Sequence, residues 1–308
     1  MKVDMEDKIV CSICITAHNE EANIGKLLDL VLNQQLEQVE IGEILVVASG
    51  CTDNTEDIVR QYEQKDGRIR LLVQERREGK ASAINLYIRE AREDVLVLSS
   101  ADLQPELDVV EKLVRPFADP EMGMSNCRPV PVNDKETFMG FVAHLLWDLH
   151  HIINERGGFK AGEMIAFRNA FVRIPQHTAV DEASIEPLIR GQGYYVTYIP
   201  NAIVHNKGPE TVADFLRQRR RIYAGHLEVR ETLGYAVSTM SGTTILRALL
   251  SNLDWRPKAL LWTMGAVCLE VYGRYLGWRD YKNKRSHAVW EIATTTKTLS
   301  TPKEKTPK

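Results

Sequence analysis

Carboxylate and amide side chains cluster in two short segments, each of which follows a run of apolar residues. Residues 16–21 read Thr-Ala-His-Asn-Glu-Glu, and residues 99–105 read Ser-Ser-Ala-Asp-Leu-Gln-Pro. Acidic residues in the first segment are typical of a helix N-terminus, where the helix dipole favours negative charge. Asp102 could similarly cap a helix that begins near residue 106. Alternatively, the carboxylate of Asp102 and the amide oxygen of Gln104, together with substrate phosphates, would suit Mg²⁺ or Mn²⁺.

Two later segments carry charges that could also take part in catalysis. Asp181 and Glu182 precede a predicted helix, so they are either dipole partners of that helix or include a general base that accepts a proton from an acceptor hydroxyl. Residues 217–221 read Arg-Gln-Arg-Arg-Arg. This basic run could be a solvated helix face or a contact for acidic membranes. It could equally be a clamp that stabilises a departing diphosphate.

Alternating strands and helices must position these groups. The first hundred residues give short, nearly continuous apolar strands, which suit a parallel sheet covered on both faces. Successive β-α-β units predict a doubly wound sheet whose ligands bind beyond the C-terminal ends of its strands. The chemistry-bearing loops should therefore meet at one edge of the sheet. Strands are predicted over residues 9–16, 44–48, 69–74 and 95–99, and helices over 23–35, 55–65 and 80–91.

The remaining two thirds of the chain read as mainly helical. Residues 128–131 form a Pro-rich piece, and from residue 235 the pattern is helical with several tryptophans. The tail at residues 299–308 is rich in Ser, Thr, Pro and Lys, a composition that predicts disorder. Further helices are predicted over residues 107–117, 137–155 and 212–227, with a late strand over 194–199.

Composition and charge exclude several classes of protein. A net charge of -3 argues against a nucleic-acid binder, since there is no basic excess for a phosphate backbone. Five cysteines do not predict a secreted disulfide framework. Cys11 and Cys14 lie three apart on a predicted strand, so their thiols should face opposite sides of the sheet. Neither a signal peptide nor a run of about 18 apolar residues is found, which predicts a cytoplasmic protein.

In order and spacing, these segments resemble glycosyltransferase family 2, the inverting nucleotide-sugar enzymes that include dolichyl-phosphate mannose synthases and the cellulose and hyaluronan synthases. The resemblance extends over residues 9–230 and rests on six segments in family order. They are similar to the P-A-Y-N-E-E loop (16–21), the V-D-D-G-S-T-D turn (47–53), the G-K-x-x-A-x-N helix start (79–85), the D-A-D-L-Q metal motif (100–104), the E-D pair with its downstream Gly-Tyr (181–182 and 193–194) and the Q-x-x-R-W motif (218–222).

The resemblance implies a GT-A fold, which is α/β with a Rossmann-like, doubly wound and mostly parallel sheet, followed here by a C-terminal helical extension. We predict a catalytic domain over residues 1–235, a helical extension over 236–298 and a disordered tail over 299–308. The implied reaction moves a sugar, with inversion, from a nucleotide-diphosphate sugar to an acceptor hydroxyl or a lipid phosphate. A divalent metal, Mg²⁺ or Mn²⁺, would be required.

Roles for individual residues follow from the resemblance. Glu182 would be the catalytic base with Asp181 beside it, and Arg221 would offset charge on the leaving group. Metal ligands would be Asp102, Gln104 and His205, although a lone histidine is more commonly a structural hydrogen-bonding group. The nucleotide-sugar site would comprise Ala17, Asn19, Glu20, Ser49, Lys80, Ala101, Asp102, Gln218 and Arg221.

The chain departs from the family pattern at several of these positions. Ala48 and Ser49 replace an Asp pair that includes a contact to the nucleotide base, so the base is left open. Ser100 replaces the first metal-motif Asp, and Asp102 must carry more of the metal binding. These changes motivate an alternative, a catalytically inactive scaffold that binds nucleotide sugars. A sugar nucleotidyltransferase would need a Gly-rich first loop, and the loop at residues 16–21 contains no glycine.

A membrane surface and a second copy of the chain are the remaining candidate partners. Residues 244–278 alternate apolar clusters with basic residues and include Trp255, Trp262 and Trp278. Apolar residues with indoles and cations suit a helix in the plane of a membrane interface. We therefore predict peripheral contact at the inner face of the cell membrane. Packing onto the catalytic sheet and a homo-oligomer interface are the alternatives.

Overall fold

The structure is a computed structural model that describes residues 8–285 and 287. Strand and helix alternate from the start, as the apolar patterning predicts. Within the described residues the elements are β1 (Ile9–Ala17), α1 (Ile24–Leu32), β2 (Val39–Ser49), α2 (Thr55–Glu63), β3 (Ile69–Gln74), α3 (Lys80–Glu90), β4 (Val95–Ser100), β5 (Gln104–Pro105), α4 (Val109–Val114), β6 (Met122–Pro131), α5 (Phe138–Glu155), β7 (Ile165–Arg168), α6 (Asp181–Gly191), β8 (Tyr195–Asn206), α7 (Val212–Leu233), α8 (Gly242–Ser251) and α9 (Pro257–Lys282).

All the strands form one mixed sheet in the order β3-β2-β1-β4-β7-β6-β8-β5. The half built from β1 to β4 is parallel, because each strand is followed by a crossover helix. β7 runs antiparallel to both of its neighbours, β4 and β6. β8 returns parallel to β6 and carries β5 antiparallel at the edge. The predicted α/β, doubly wound and mostly parallel sheet is therefore confirmed.

Several boundaries differ from the prediction, and β5, β6 and β7 were not predicted as strands. The Pro-rich residues 128–131 are the end of β6, and β7 was not predicted at all. β8 continues seven residues past the predicted end at residue 199, and α7 continues to Leu233. Gly234 then ends α7 because its φ of 63° is left-handed, a conformation that glycine adopts without steric cost. The predicted helix over 107–117 divides into α4 and a 3-10 turn at Arg115–Ala118.

Apolar side chains form a core on each face of the sheet, as a parallel sheet covered on both faces requires. Ile13 of β1 and Leu28 of α1 belong to one core. Leu45 of β2 and Tyr87 of α3 belong to the other. The period-two alternation of β1 also separates Cys11 from Cys14, which lie in opposite cores as unpaired thiols. The prediction that the two thiols diverge is confirmed.

The C-terminal helices form a third apolar cluster beside the sheet. α5, α7, α8 and α9 contribute Leu149, Phe215, Ala248 and Ala266, among others. The segment after residue 235 is thus helical as predicted and packs on α5 and α7. None of the helices in the described part of the chain combines the length and apolar character needed to cross a bilayer. The predicted disordered tail at 299–308 lies outside the described residues.

Candidate active site

A cavity of about 620 Å³ opens at the carboxyl ends of β1, β2 and β4, where a doubly wound sheet is expected to bind ligands. Ala17, Ser49 and Ser100, the last residues of these three strands, line it. α5, α7 and α9 supply the opposite wall. Of the predicted site residues, the cavity brings together Ala17, Glu20, Ser49, Lys80, Ala101, Asp102, Asp181, Glu182, Gln218 and Arg221.

The first loop is held against the turn after β2 by its own polar side chains. His18 Nδ1 lies 2.7 Å from the Ser49 carbonyl oxygen. Asn19 has a positive φ of 53° and accepts a hydrogen bond from the Thr52 amide at 2.8 Å. The Glu20 amide donates to Thr55 Oγ1 at 2.7 Å. Glu20 lines the cavity, whereas Asn19 is outside the lining and shapes the loop.

Lys80, the first residue of α3, lines the cavity and contacts the first turn of α6. Its Nζ lies 2.9 Å from Glu182 Oε1 and 3.5 Å from Asp181 Oδ2. Burial alone would lower the Lys80 pKa, but the two carboxylates outweigh burial and raise it. The cluster therefore holds a fixed positive charge between two acidic groups.

The two carboxylates of the pair occupy different environments. Burial raises the pKa of Asp181, whose Oδ1 has no hydrogen-bond partner among the described residues. Burial would also raise the Glu182 pKa, but Lys80 outweighs it and lowers that pKa. The Glu182 side chain is 21% exposed and the Asp181 side chain only 3%. Glu182 is thus the more accessible member of the pair and the one with the lower pKa.

Glu163 is an acidic residue of the cavity that the sequence patterns did not single out. Burial, and then the nearby charges of Asp102 and Glu182, raise its pKa to about 7. Asn206 Nδ2 donates a 3.0 Å hydrogen bond to Glu163 Oε1. Glu163 precedes β7, the strand that was not predicted, so no local pattern placed it at the sheet edge. Its buried carboxyl group adds to the acidic character around Asp102.

The three predicted metal ligands are not brought to one point on the cavity wall. Asp102 lines the cavity, whereas Gln104 and His205 are absent from its lining and face each other across the β5–β8 pair. His205 Nε2 lies 3.6 Å from Glu106. Residues 8–285 and 287 contain no group of three His, Cys, Asp or Glu arranged to hold a metal. Mg²⁺ is commonly held by one or two carboxylates and substrate phosphates. Asp102 and Glu163 both line the cavity, and the charge of Asp102 helps raise the Glu163 pKa, so they are the carboxyl groups that could contribute to such a donor set.

The arginines of the basic run on α7 have separate partners. Arg217 pairs with Asp214 at 2.6 Å, and Arg220 pairs with Asp280. Arg221 donates to the Ala179 carbonyl oxygen at 3.3 Å, directly before α6. Burial lowers the Arg221 pKa against the opposing charges of Asp181 and Glu182. Arg221 is therefore an arginine of this run whose charge interacts with the carboxylates of Asp181 and Glu182.

Comparisons with known proteins support the same architecture. Probable glycosyltransferase YdaM of Bacillus subtilis (strain 168) is 25% identical over 238 residues, which are 72% of this chain and 56% of that protein. Poly-beta-1,6-N-acetyl-D-glucosamine synthase of Staphylococcus aureus (strain COL) is 24% identical over 227 residues, 70% of this chain and 54% of that protein. The chain thus spans about half the length of these curated relatives.

Two solved structures share the fold at low sequence identity. A mannosyltransferase from Pyrobaculum calidifontis in complex with GDP-Man and Mn²⁺ has a TM-score of 0.63 at 19% identity and covers 92% of this chain and 90% of that one. Glucosyl-3-phosphoglycerate synthase from Mycobacterium tuberculosis in complex with Mn²⁺, UDP and phosphoglyceric acid has a TM-score of 0.51 at 18% identity, covering 75% of this chain and 80% of that one. These likenesses confirm the predicted GT-A fold.

A family model decides the assignment. The model described as glycosyl transferase family 2 matches residues 12–188, which contain the first loop, the α3 start, Asp102 and the Asp181–Glu182 pair. This range is more than half of the 308-residue chain. The resemblance drawn from the sequence motifs is confirmed, and the chain belongs to glycosyl transferase family 2, a family of glycosyltransferases.

Proposed function

We propose that the chain transfers a sugar from a nucleotide-diphosphate sugar to an acceptor hydroxyl, with inversion at the anomeric carbon. The observation that carries this proposal is the meeting of Lys80, Asp181 and Glu182 in one cavity with the strand ends that carry Ser49 and Asp102. A nucleotide at the strand ends would place its diphosphate between Lys80 and Asp102. The acidic pair would then lie beside the sugar.

The donor contacts of the proposal follow from the lining. Ala17, Glu20 and Ser49 would contact the nucleoside, and the buried Ser49 Oγ has no hydrogen-bond partner in the described chain, so it is available to a base or ribose. Asn19 would act by holding the loop conformation. Mg²⁺ or Mn²⁺ on Asp102 and the diphosphate, next to Ala101, would supply a Lewis acid that draws negative charge from the leaving group. The solved relatives in complex with Mn²⁺ support this part of the proposal.

The chemical step is a single displacement. The acceptor oxygen would attack the anomeric carbon as the bond to the diphosphate oxygen breaks, and the acceptor proton would pass to Glu182. Attack from the face opposite the leaving group inverts the anomeric centre. Arg221 and Gln218 would stabilise charge that develops on the diphosphate. Asp181, beneath Glu182, would keep Lys80 in place.

A donor panel tests the proposal. Purified protein would be incubated with UDP- and GDP-linked hexoses and N-acetylhexosamines, with Mn²⁺, Mg²⁺ or a chelator, and nucleoside diphosphate release would be measured. We expect release from one donor class that depends on the metal. Binding of a nucleotide sugar without release or transfer would favour the alternative of an inactive scaffold, which Ser100 in the metal motif motivates.

We further propose peripheral contact with an acidic membrane surface through α9. Leu261, Met264, Val271, Tyr275 and Trp278 are 46% to 64% exposed, and together with Cys268 they recur every three or four residues along one side of α9. We call these six residues the α9 stripe. We also propose that residues 1–235 form the catalytic domain and that residues 236–298 form an extension to it. A homo-oligomer through the α9 stripe is the alternative occupant.

A further inference from the structure

Part of the cavity is a compartment lined by residues of α5, α7, α8 and α9, which the site residues discussed above do not explain. Lys160, His150, His226, Arg219 and Arg274 line it, and the charges of Arg219 and Arg274 reach both Lys160 and His226. Other residues of the same lining are apolar. These apolar lining residues are Met139, Leu146, Leu149 and Ile153 of α5, Phe215 of α7 and Ile245 of α8.

The polar end of this compartment holds more positive than negative charge. Arg219 and Arg274 share a single acid, Glu270, with contacts of 2.6 and 2.8 Å. Lys160 has no ion-pairing carboxylate among the residues that the structure describes. Glu163 is the other acid whose charge reaches Lys160, and it accepts its hydrogen bond from Asn206. Three cations thus surround one paired carboxylate.

His226 gives a second and independent sign of a missing ligand. Its side chain is 6% exposed and lines the cavity, yet neither ring nitrogen has a hydrogen-bond partner within the described part of the chain. Buried polar groups are almost always hydrogen-bonded in folded proteins. Burial, together with Lys160 and Arg219, holds the His226 pKa well below its ordinary value, so the ring is neutral and offers one N–H donor.

Burying unbalanced charge is costly unless a ligand of opposite sign compensates it. Two net positive charges and a free N–H donor match a phosphate, which carries close to two negative charges and has several acceptor oxygens. The apolar stretch of α5 would accommodate carbon-rich groups attached to that phosphate. The same cavity continues to Glu182, where an acceptor hydroxyl must arrive.

We propose that the acceptor of this enzyme carries a phosphate group that binds between Lys160, His226, Arg219 and Arg274, with its reacting hydroxyl directed toward Glu182. This inference rests on the proposed transferase function and names the chemical class of its acceptor. A lipid-linked phosphate and a soluble phosphorylated sugar share this chemistry.

Calorimetry with small phosphates tests the proposal without requiring turnover. Phenyl phosphate would be titrated into the full chain with its donor site saturated by UDP or GDP, and the neutral phenol would be titrated in parallel. We expect phenyl phosphate to bind and phenol to bind far more weakly. Lys160→Met should weaken phenyl phosphate binding by about 10- to 100-fold, the usual loss for a charge-assisted hydrogen bond.

Two further variants make this result specific. His226→Phe keeps an aromatic ring at an unpartnered position and should also weaken phenyl phosphate binding. Lys112→Met is the matched control, since Lys112 pairs with Asp108 one turn earlier, at the N-terminus of α4, and lies outside the cavity. Equal phenyl phosphate affinity in the wild type and in His226→Phe and Lys160→Met, each with an unchanged melting temperature, would overturn the proposal.

Two further comparisons distinguish a lipid phosphate from a soluble phosphate, and a failure of the phosphate site from a failure of the proposed transferase function. Tighter binding of octyl phosphate than of glycerol phosphate would assign the acceptor to a lipid phosphate, and the reverse order would assign it to a soluble one. Failure of both to bind would overturn the inference. Phenyl phosphate would also be titrated into the chain without nucleotide. Phenyl phosphate binding in that titration, in a chain that binds neither UDP nor GDP, would count against the proposed transferase alone.

Discussion

Glu182 and Asp181 are adjacent in sequence, yet Lys80 contacts them unequally, and this inequality bears on which of them accepts a proton. The pKa of Glu182 is lowered and its side chain is 21% exposed, whereas the pKa of Asp181 is raised and its side chain is 3% exposed. Removal of a general base lowers rates by about 10²- to 10⁴-fold. We expect Glu182→Gln to lower kcat by that amount with little change in donor affinity, measured by steady-state kinetics and nucleotide titration.

Asp181→Asn serves as the comparison for Glu182→Gln. Its effect on kcat should be milder, since the Asp181 side chain is only 3% exposed and is less accessible to an acceptor than the Glu182 side chain, which is 21% exposed. If Asp181→Asn lost most of its kcat while Glu182→Gln kept a nearly normal one, Asp181 rather than Glu182 would be the general base.

Asp102 is the acidic residue after β4 that lines the cavity, so the proposed metal dependence is tested there. Asp102→Asn removes one charge from a loop and should leave the fold intact. We expect the metal-stimulated rate of donor cleavage to fall by about 100-fold or more, as for loss of an electrostatic stabiliser. Asp148→Asn, on the exposed side of α5 and outside the cavity, is the control. Full activity of Asp102→Asn, or of the wild type in excess chelator, would exclude the mechanism.

His150 makes the stability of the fold depend on pH. Burial, and then the charge of Lys160, lower its pKa to about 3, and its Nε2 lies 2.9 Å from the Lys160 carbonyl oxygen. Below the ordinary histidine pKa the unfolded chain takes up a proton that the folded chain does not, so stability must fall with falling pH. We expect a loss of about 1.4 kcal/mol per pH unit between pH 6 and 4 from this group.

Urea unfolding at pH 7, 6, 5 and 4 would measure this dependence. His150→Gln should remove one such proton uptake and flatten the profile, while His226 continues to contribute in the same direction. Parallel profiles for the wild type and His150→Gln would show that His150 does not set the slope.

The sequence predicted those site residues that belong to loops directly after strands. Asp102 follows an apolar run that predicts a strand, whereas Ser49 and Lys80 were suggested by the resemblance to family motifs, and all three line the cavity. Glu163 and Lys160 have no such context, because they precede a four-residue strand, β7, that pairs only with distant segments. His226 belongs to the basic helix α7, and part of its charged environment comes from Glu270 and Arg274 of α9. Sites assembled by tertiary packing cannot be seen from local spacing.

At the level of elements, Glu270 joins α9 to α7. Its carboxylate is 15% exposed and contacts both Arg219 and Arg274. Burial would raise the Glu270 pKa, but the two arginines outweigh it and lower the pKa to about 2. Glu270→Gln would leave Arg219 and Arg274 without their buried carboxylate partner. It should therefore lower the free energy of unfolding by about 3 kcal/mol.

Glu136→Gln is the matched control for Glu270→Gln, because Glu136 also pairs with a base on α9, Lys258, but is 83% exposed. Exposed pairs contribute about 0–1 kcal/mol, and chemical denaturation would resolve the difference. Because the Glu270 pKa is lowered in the folded chain, the stabilisation by Glu270 is present above about pH 4.5 and is lost as pH falls toward 2. Equal losses in the two variants would show that Glu270 does not tie the helices.

The elements of the parallel half were predicted closely, and those of the second half were not. Strands β1, β3 and β4 have apolar runs of the expected length, so their positions differ by at most one residue from the prediction. β6 ends in a segment with two prolines, which reads as a loop because proline donates no ladder hydrogen bond. Pairing with β8 overrides that local signal at Pro129 and Pro131. Tertiary partners therefore decided the strands that the sequence missed.

At the scale of the whole molecule, the α9 stripe is an exposed apolar surface that a partner could cover. Exposed Arg279 and Lys282 follow it, so its charge suits acidic lipid. Wild-type chain should float with anionic vesicles at low salt and less at high salt or with neutral vesicles. The double variant Val271→Ser, Trp278→Ser should reduce partitioning by about tenfold or more, since two apolar groups are lost. Unchanged binding of the nucleotide-sugar donor would show that the double variant is folded.

Alternative results would assign the stripe differently. A wild-type chain that remains unbound to anionic vesicles at low salt would exclude the membrane proposal. If that chain is also dimeric in sedimentation, and the double variant is monomeric, the stripe is the interface between two copies.

Cys268 lies within this stripe and is exposed, whereas the other four of the five cysteines are buried or half-buried. Burial raises the pKa of Cys11, Cys14, Cys127 and the half-buried Cys51, so their unreactive protonated forms prevail at neutral pH. The native chain is thus ready for selective labelling at Cys268 with an environment-sensitive maleimide dye. Such a dye would shift its emission to the blue when lipid or a second copy covers α9, giving a spectroscopic reporter of occupancy without any engineered residue.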